Sequence, residues 1–378
     1  MFKLFIIVNV DDFFLSHRQE IAVAALNAGY DVTIIAKDTG KSAIIKSLGL
    51  KYFDLPINKS GINIFEEYKT FKFLYKLFKQ ERPDIVHLVG MKTILWGGIA
   101  ARLLNIKGTV SAISGLGVMF SDDYDKKSIA KGVLKLMKFI HYHRNAYCIF
   151  HNLEDQDMFL QKKLAYADRC YRTMGSGIDL EKYQYTPETD SNPVKIIFTA
   201  RMVEDKGVLT LIEAANILRV DYSDKAEFIL CGGLETNPKA ITKEKLESLC
   251  DGKYIKWLGK RSDVISLLRT SHIFAFPSYY KEGLPKSCIE AAAIGRPIIT
   301  CDSTGCRDTV IDGETGFLIP VKDSIVLADK IKFLIDNPDI RKEMGRKARK
   351  FAEKNFSIKD VIDTHLTIYN AIVNKHTN

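Results

Sequence analysis

Two glutamates flank the start of a predicted helix in the second half of the chain. Glu282 lies in a loop after a predicted strand, and Glu290 lies eight positions later, inside the helix. Pro285 stands at the predicted first helical position, where a backbone N–H is not needed. Free N–H groups at this helix start, beside Gly283, suit a diphosphate. One carboxylate can then face a sugar while the other accepts hydrogen bonds from a ribose diol, or both are solvated glutamates on a capped helix.

Two cations occupy a second loop that can reach a phosphate. Arg201 and Lys206 follow a predicted strand and open a predicted helix. Positive charges at a helix start oppose the helix dipole, which favours anions there, so a bound anion explains them better than a solvated surface does. Gly232 and Gly233 end the next strand, where they either let a ligand approach the backbone or form a plain turn.

The first half of the chain offers two candidate ligand-binding loops. Ser16, His17 and Arg18 follow the first predicted strand, where His17 can hydrogen-bond an acceptor and Arg18 a phosphate, although a polar helix cap is an equal interpretation. A second loop contains Ser114, Gly115 and Gly117. Its two glycines lack the third of a dinucleotide fingerprint, so they indicate a close-approach loop instead. His87, at the end of a strand, is predicted to be a core or rim residue rather than a catalyst.

The elements around these residues alternate between short β-branched runs and helical periods, which is typical of parallel, doubly wound α/β sheets. A polar, proline-bounded stretch over residues 180–193 interrupts the alternation. We therefore predict an N-terminal domain over 1–185, a C-terminal domain over 186–355, and a final helix over 356–378 that crosses back to the first domain. Two such domains form a cleft at the carboxyl ends of their strands, where this class of fold binds ligands.

Composition excludes several classes of protein. The chain has 378 residues, 46% hydrophobic and 27% charged, which is too apolar for a disordered protein. The sequence has no run of the ~18–20 apolar residues that a spanning helix needs. The apolar run Leu4–Val10 contains Asn9 and ends at Asp11, so we predict a buried strand rather than a secretory signal. Seven cysteines without a CxxC pair indicate a reducing cytoplasm, with neither a disulfide framework nor a cysteine zinc site.

Positive charge is concentrated in one segment. Of a net charge of +9, residues 51–150 contribute +8, from 16 Lys and Arg against 8 Asp and Glu. The predicted helices 63–81 and 127–146 each carry a lysine stripe opposite an apolar face, and the apolar faces include Ile64, Tyr68 and Leu136. The stripes consist of Lys69, Lys72, Lys76 and Lys79, and of Lys127, Lys131, Lys135 and Lys138. They are either solvated faces or contacts with anionic lipid, and we favour lipid because the excess charge is local. The sequence contains no recognised nucleic-acid-binding motif, so we do not favour nucleic acid as the partner of these lysines.

Two Asp-x-Asp pairs raise the question of a metal. Metal-dependent transferases hold Mn²⁺ or Mg²⁺ with such a pair on a loop after a strand. The pairs Asp123–Asp125 and Asp155–Asp157 instead lie at predicted helix starts, where carboxylates are expected in any case. We therefore predict no metal site.

The second half resembles the family 4 glycosyltransferases, which are retaining enzymes of the GT-B fold. The resemblance lies in EGLPxSxxEAxAxGxP from Glu282 onward, in Thr304–Leu318, and upstream in the segments around Arg201, Gly232 and Arg261. Gly115-Leu-Gly117 and Ser176–Asp179 resemble the subgroup that acts on undecaprenyl-diphosphate glycans. Many relatives carry a histidine in this first-half loop, where this chain has Ser114.

The resemblance implies a role for each candidate residue. Glu282, Arg201 and Lys206 form the catalytic set. Donor binding falls to Glu290, Gly232, Gly233, Lys260, Arg261, Gly283, Leu284 and Pro285. Lys260 and Arg261 border the nucleobase, through backbone or side chain. The acceptor set is Ser16, His17, Arg18, Ser114, Gly115 and Gly117.

The implied reaction moves a sugar, expected to be an N-acetylhexosamine, from a UDP-sugar to a polyprenyl-diphosphate-linked glycan. It needs no metal or other cofactor, and it takes place at the inner face of the cytoplasmic membrane. Two alternatives are a UDP-sugar 2-epimerase of the same fold, which needs no acceptor, and a nucleotide-sugar-binding module without catalysis.

Overall fold

The computed structural model describes residues 1–58, 63–115, 127–236 and 239–377, with only the backbone at 127–130 and 377. The chain forms two compact units. Unit 1 comprises Met1–Ser176 together with Ile358–Asn378, and unit 2 comprises Gly177–Ser357.

Unit 1 contains a seven-stranded parallel sheet in the order β3-β2-β1-β4-β5-β6-β7. Its strands are β1 (Lys3–Val10), β2 (Asp31–Lys37), β3 (Lys51–Asp54), β4 (Ile85–Val89), β5 (Gly108–Ile113), β6 (Ala146–Phe150) and β7 (Cys170–Arg172). Successive side chains of a strand point to opposite faces. Along β1, Leu4 and Ile6 pack in one core cluster while Phe5 and Ile7 pack in the other, so both faces of the sheet are covered. Strands that are buried on both faces have continuous apolar sequences, because neither face is in contact with water.

Helices of unit 1 cover these two faces. They are α1 (Asp11–His17), α2 (Gln19–Asn27), α3 (Ser42–Ser47), α4 (Ile64–Glu81), α5 (Met91–Leu103), α6 (Lys127–His141), α7 (Leu153–Gln161) and the last helix of the chain, α14 (Ile358–Thr377). The last helix contributes Ile368, Tyr369 and Ile372 to the cluster on the Leu4 face. The Tyr369 hydroxyl lies 2.5 Å from Nδ1 of the fully buried His87. The interpretation of His87 as a core residue is confirmed.

Unit 2 contains a six-stranded parallel sheet in the order β10-β9-β8-β11-β12-β13. Its strands are β8 (Val194–Thr199), β9 (Ala226–Cys231), β10 (Ile255–Trp257), β11 (Ile273–Phe276), β12 (Ile298–Cys301) and β13 (Gly316–Ile319). Its helices are α8 (Val208–Tyr222), α9 (Lys243–Leu249), α10 (Val264–Arg269), α11 (Lys286–Ile294), α12 (Ser324–Asp336) and α13 (Pro338–Asn355). The predicted doubly wound α/β class is confirmed.

The strand order of unit 2 fixes where a ligand can bind. The chain moves outward in one direction from β8 through β9 to β10, and then returns to the other side of β8 with β11. Ligands of doubly wound folds bind at the carboxyl ends of the strands where the order reverses. In unit 2 this switch point lies between β8 and β11, which pair directly at Ile273 and Ile196.

The segment predicted to end the first domain belongs to unit 2. Residues 177–185 fall in that unit, so the boundary precedes the predicted position at 185/186. The reason is a set of hydrogen bonds within unit 2. Ile178 N–H donates to Phe356 O at 2.8 Å, and Thr186 N–H donates to Ile294 O at 3.0 Å. Part of the polar stretch expected to be a linker is therefore anchored to α11 and the end of α13.

Candidate active site

A buried ion pair lies at the switch point of unit 2. Lys206 ends a short 3-10 helix (Glu204–Lys206) in the loop after β8, and Glu282 lies in the loop after β11. Lys206 Nζ donates to Glu282 Oε1, and the two side chains are only 11% and 12% exposed. Because β8 and β11 are neighbours, the sheet topology brings together two predicted catalytic residues that lie 76 positions apart.

Aromatic rings and a serine complete the surroundings of this pair. Lys206 Nζ lies 4.8 Å from the centre of the Tyr280 ring and 5.8 Å from that of Phe276, which are cation–π distances. The fully buried Ser278 places its hydroxyl 3.1 Å from Glu282 Oε1. Burial, and then the charge of Glu282, raise the pKa of Tyr280. The sequence motifs did not indicate Tyr280 or Ser278, although both lie a few residues before Glu282.

Two glycines are required by the close approach of backbone to backbone. Gly207 has φ +79°, and a Cβ there would lie 2.0 Å from Pro277 O, so the loops after β8 and β11 touch at this point. A Cβ on Gly232 would lie 1.6 Å from Ala200 O. The carbonyl of Ala200 therefore demands glycine at position 232 whether or not a ligand approaches. At Gly233 the nearest described atom to a Cβ would be in the Lys260 side chain, at 3.4 Å.

The other predicted donor-site cations lie at the same carboxyl edge of the sheet. Arg201, after β8, is half-exposed and pairs with Glu235 at 3.4 Å. Arg261, after β10, makes a two-bond ion pair with Asp263, at 2.8 and 2.7 Å. Lys260 packs beside Gly233. The edge thus presents cations from the loops after β8 and β10.

The helix that carries Glu290 starts one residue later than predicted. Pro285 is the N-cap and Lys286 is the first helical residue of α11, because Pro285 has extended backbone angles (φ −64°, ψ 116°). Proline has no side-chain oxygen with which to cap the first N–H groups. Gly283 and Leu284, which lead into the helix, are buried. Five of the predicted residues, Glu282, Gly283, Leu284, Pro285 and Lys206, therefore lie around this loop.

Glu290 interacts with a residue that no motif indicated. The Tyr183 hydroxyl donates to Glu290 Oε1 at 2.8 Å. Burial raises the pKa of Glu290, while the charge of Lys286 and the bond from Tyr183 lower it. Tyr183 belongs to the polar stretch and lies 107 positions before Glu290. No pattern in the sequence indicates that the two residues are in contact.

The first acceptor candidates lie at the end of β1 in unit 1. A short helix, α1, follows β1, and α2 begins at Gln19, because the backbone of Arg18 leaves helical angles between the two. Ser16 Oγ lies 2.7 Å from His17 Nδ1, and the His17 ring stacks on Phe13. Arg18 is 1% exposed, with Nη1 donating to His17 O at 2.9 Å and Nη2 lying 3.5 Å from His151 Nε2. Burial lowers the pKa of Arg18 to about 10.

The second acceptor loop is described only at its start. Ser114 is exposed after β5, and Gly115 has φ +106°. Gly117 and the pair Asp123–Asp125 lie outside the described residues. In the other Asp-x-Asp pair, Asp155 is buried and bonds to Asn152 at the start of α7, whereas Asp157 is exposed.

The basic helices expose more apolar surface than predicted. Ile64 and Tyr68, which we placed on the core face of α4, are 79% and 59% exposed, and Phe65 is 85% exposed. The apolar core contacts of α4 start further along, at residues such as Leu74 and Phe78. On α6, Leu136 is likewise exposed, with Phe139. The described stripe lysines of both helices, from Lys69 to Lys79 and from Lys131 to Lys138, are exposed as predicted.

Among residues 1–58, 63–115, 127–236 and 239–377, no group of three His, Cys, Asp or Glu side chains could hold a metal ion. Within those ranges no helix combines the length and the apolar character needed to cross a bilayer.

Both halves of the chain match models of glycosyltransferase families. A family described as glycosyl transferases group 1 matches residues 181–351, and one described as glycosyl transferase 4-like matches residues 3–152. The chain is a family 4 glycosyltransferase. The predicted family and enzyme class are confirmed, while the roles of the individual site residues stay predictions.

Curated relatives align with this glycosyltransferase over nearly its whole length. It is 26% identical to the N,N'-diacetylbacillosaminyl-diphospho-undecaprenol alpha-1,3-N-acetylgalactosaminyltransferase of Campylobacter jejuni, over 95% of this chain and 98% of that protein. It is also 26% identical to the UDP-Gal:alpha-D-GlcNAc-diphosphoundecaprenol alpha-1,3-galactosyltransferase of Escherichia coli, over 92% and 91%.

Solved structures share the fold of this glycosyltransferase. A glycosyltransferase from Rickettsia africae superposes with a TM-score of 0.76 at 20% identity, covering 98% of each chain. Anabaena HepE, solved in complex with UDP and glucose, has a TM-score of 0.73 at 16% identity and covers 100% of each chain. The predicted GT-B fold, with two Rossmann-like domains, is confirmed.

Proposed function

We propose that this glycosyltransferase moves an N-acetylhexosamine from a UDP-sugar to a glycan linked to polyprenyl diphosphate. The observation that carries the proposal is the Lys206–Glu282 pair at the switch point of unit 2, beside the start of α11. The acceptor class is supported by the two relatives above, whose names specify diphosphoundecaprenol-linked saccharides. The UDP donor is supported by the name of the second relative and by the ligand of HepE.

In this proposal the donor diphosphate lies against the start of α11. The uncapped N–H groups of a helix start favour an anion, and Lys206 and Arg201 add two positive charges from the neighbouring loop. Glu282 orients the sugar ring, and Glu290 accepts hydrogen bonds from the ribose diol. Gly232, Gly233, Lys260 and Arg261 border the nucleobase. These cations and N–H groups do the work that a divalent metal does in other transferases, so no metal is required.

The proposed reaction retains the configuration of the sugar. The acceptor hydroxyl oxygen forms a bond to the anomeric carbon on the face from which the phosphate leaves. The bond from that carbon to the β-phosphate oxygen breaks, and the departing oxygen takes the hydroxyl proton. Lys206 and Arg201 stabilise the negative charge that develops on the phosphate, where preorganised donors contribute most.

Unit 1 supplies the acceptor side in this proposal. Ser16 and His17 end α1, the helix that follows β1, and Arg18 lies between α1 and α2. Ser114 and Gly115 follow β5, and Gly117, the third member of that set, lies outside the described residues. The carboxyl ends of the strands form the edge of the sheet at which doubly wound folds bind ligands.

We further propose that unit 1 associates with the inner face of the cytoplasmic membrane. The helices α4 and α6 both pack against α5. Each combines exposed lysines with exposed apolar side chains, and the most exposed are Ile64 and Phe65 at the start of α4. Lysines near an anionic surface contribute about 1 kcal/mol each, and apolar side chains at that depth can enter the headgroup region.

A product assay tests the main proposal. The protein is incubated with a panel of UDP- and GDP-sugars, with and without a lipid-diphosphate saccharide, and the organic phase is analysed by mass spectrometry. The expected result is a lipid product heavier by one N-acetylhexosamine residue, formed only with the UDP donor. Conversion of a UDP-sugar to an isomer without acceptor would identify the 2-epimerase instead. Binding of UDP-sugar with no turnover under any acceptor would leave a binding module.

A further inference from the structure

Among the described residues, hydrogen bonds reach one of the two oxygens of Glu290. Tyr183 donates to Oε1 at 2.8 Å. Within the described part of the chain, Oε2 forms no hydrogen bond. A carboxylate can accept several hydrogen bonds over its two oxygens, so Oε2 keeps its full capacity for a ligand.

Tyr183 is held in place by a short segment that we call the strap, residues 183–186. Arg349 Nη1 lies 2.6 Å from both Tyr183 O and Ala293 O, and so connects the strap to the end of α11. Thr186 N–H donates to Ile294 O at 3.0 Å. The strap therefore attaches directly to the helix that carries Glu290.

A second arginine holds the other end of the strap. The fully buried Arg296 donates from Nη2 to Thr186 O at 2.9 Å and from Nε to Leu268 O at 3.0 Å. Beside it, the ring of Tyr185 fills the space that a Cβ on Gly295 would need, at 2.5 Å. The strap is thus fixed at Tyr183, Tyr185 and Thr186 against the last turn of α11.

We propose that Tyr183 is a positioning residue, which holds the Glu290 carboxylate so that Oε2 accepts hydrogen bonds from the ribose diol of the donor. The inference rests on the proposed function, because it assumes that Glu290 binds ribose. A glutamate side chain has three rotatable bonds, and ordering it at the moment of binding costs free energy. A hydrogen bond from the anchored strap fixes the carboxylate in advance, which increases affinity by reducing that cost.

The same bond also stabilises the charged form of Glu290. Burial raises the pKa of Glu290, and three groups oppose that rise. They are Lys286 in the first turn of α11, the Tyr183 hydroxyl, and Lys182, the residue before Tyr183 in the chain. Removing the Tyr183 hydroxyl should therefore raise the pKa of Glu290 further. Binding that depends on the carboxylate would then fail at a higher pH.

The test compares UDP with 2′,3′-dideoxy-UDP, which lacks the diol, by calorimetry on the full chain. If the ribose diol donates to the Glu290 carboxylate, the unmodified protein should bind UDP about 10–100-fold more tightly than dideoxy-UDP. Glu290→Gln should remove most of this preference. Tyr183→Phe should reduce it by about 3–10-fold while leaving the affinity for dideoxy-UDP unchanged. Tyr185→Phe makes the same chemical change in the same strap, and it should behave as the unmodified protein.

Three results would overturn the inference. Equal weakening of both nucleotides by Tyr183→Phe would mean that the hydroxyl only supports the local fold. An unchanged preference in Tyr183→Phe, with the preference lost in Glu290→Gln, would mean that Glu290 binds the diol without help. A preference that survives Glu290→Gln would remove the ribose assignment itself, so that failure is distinguishable from the other two.

The pH dependence of UDP binding gives a second readout. As the pH falls, the loss of affinity should begin at a higher pH in Tyr183→Phe than in the unmodified protein, and Tyr185→Phe should cause no shift. A purely structural role of the hydroxyl would not move this profile. The thermal midpoint of each variant, measured in parallel, shows whether it is folded.

Discussion

Replacing Lys206 by methionine separates the structural role of this residue from its proposed role in binding. Lys206→Met keeps an unbranched chain of similar length and removes the charge. It leaves Glu282 as a carboxylate that is only 12% exposed and no longer contacts the Lys206 ammonium. It also removes one of the two cations proposed to bind the diphosphate. The variant should therefore be less stable and bind UDP more weakly.

The two effects have different expected sizes. Breaking a buried ion pair by removing one partner costs about 3–5 kcal/mol of stability, because the remaining charge is uncompensated. For a unit of 181 residues, Gly177–Ser357, this corresponds to a fall of about 6–20 °C in the thermal midpoint. Loss of a charged hydrogen bond to the diphosphate costs about 1.5–3 kcal/mol, or about a 10–150-fold weaker UDP complex.

A double variant tells these effects apart. Lys206→Met with Glu282→Gln removes both charges of the Lys206–Glu282 pair, so most of the lost stability should return. The affinity for UDP should not return, since the cation is still absent. Thermal unfolding and calorimetry with UDP measure the two quantities on the same samples. The account of the site is wrong if Lys206→Met binds UDP as tightly as the unmodified protein, or if the double variant regains affinity together with stability.

Further predictions concern turnover, metal, membrane and pH. Glu282→Gln should lose turnover and keep most of its UDP affinity, because its proposed partner is the sugar ring; equal loss in both assays would contradict this. Activity should survive EDTA, and abolition with rescue by Mn²⁺ would refute the metal-free mechanism. The protein should sediment with anionic liposomes and detach as salt shortens electrostatic range to ~8–10 Å at 0.1–0.15 M. Glu substitutions at Lys72, Lys76, Lys131 and Lys135 should abolish sedimentation, whereas the same change at Lys332, Lys347, Lys350 and Lys354 of unit 2 should not. UDP affinity should fall as the pH drops through the raised pKa of Glu290, above its ordinary value of 4.5; a flat profile would contradict a carboxylate ligand.

The sheet of each unit could be predicted because parallel strands buried on both faces leave a clear trace. Continuous apolar runs such as that of β1 occur between helical periods, and this alternation predicts the doubly wound class that the structure has. The edge strand β7, Cys170–Arg172, makes no such run, since two of its residues are half-buried and Arg172 is exposed. The break in the helical backbone at Arg18, between α1 and α2, leaves no trace in the apolar periodicity.

The site could be predicted in part, and the missing part depends on contacts distant in sequence. Lys206 and Glu282 could be predicted as site residues because both lie in loops that follow strands. Their direct pairing depends on β8 and β11 being neighbours in the sheet, and the sequence does not reveal the strand order. The hydrogen bond from Tyr183 to Glu290 forms only because the strap lies on α11. Arg349, which holds the strap there, is far from it in sequence, so the polar stretch resembles a linker when the sequence is considered alone. Gly232 was assigned to ligand approach, while the structure gives it a nearer reason in Ala200 O.

The anomeric configuration of the product tests the central claim most directly, because it requires both a transfer and a mechanism. An α-linked UDP-N-acetylhexosamine is incubated with a lipid-diphosphate saccharide, and the purified product is examined by NMR. The account predicts a new glycosidic bond in the α configuration, from attack on the face that the phosphate leaves. A β-linked product would contradict retention and would require a base in unit 1, among His17, Asp11 and Asp12. Asp11 is the least suited of these, since its carboxylate already accepts from Thr39 N–H and Lys41 N–H, at 2.8 and 2.9 Å.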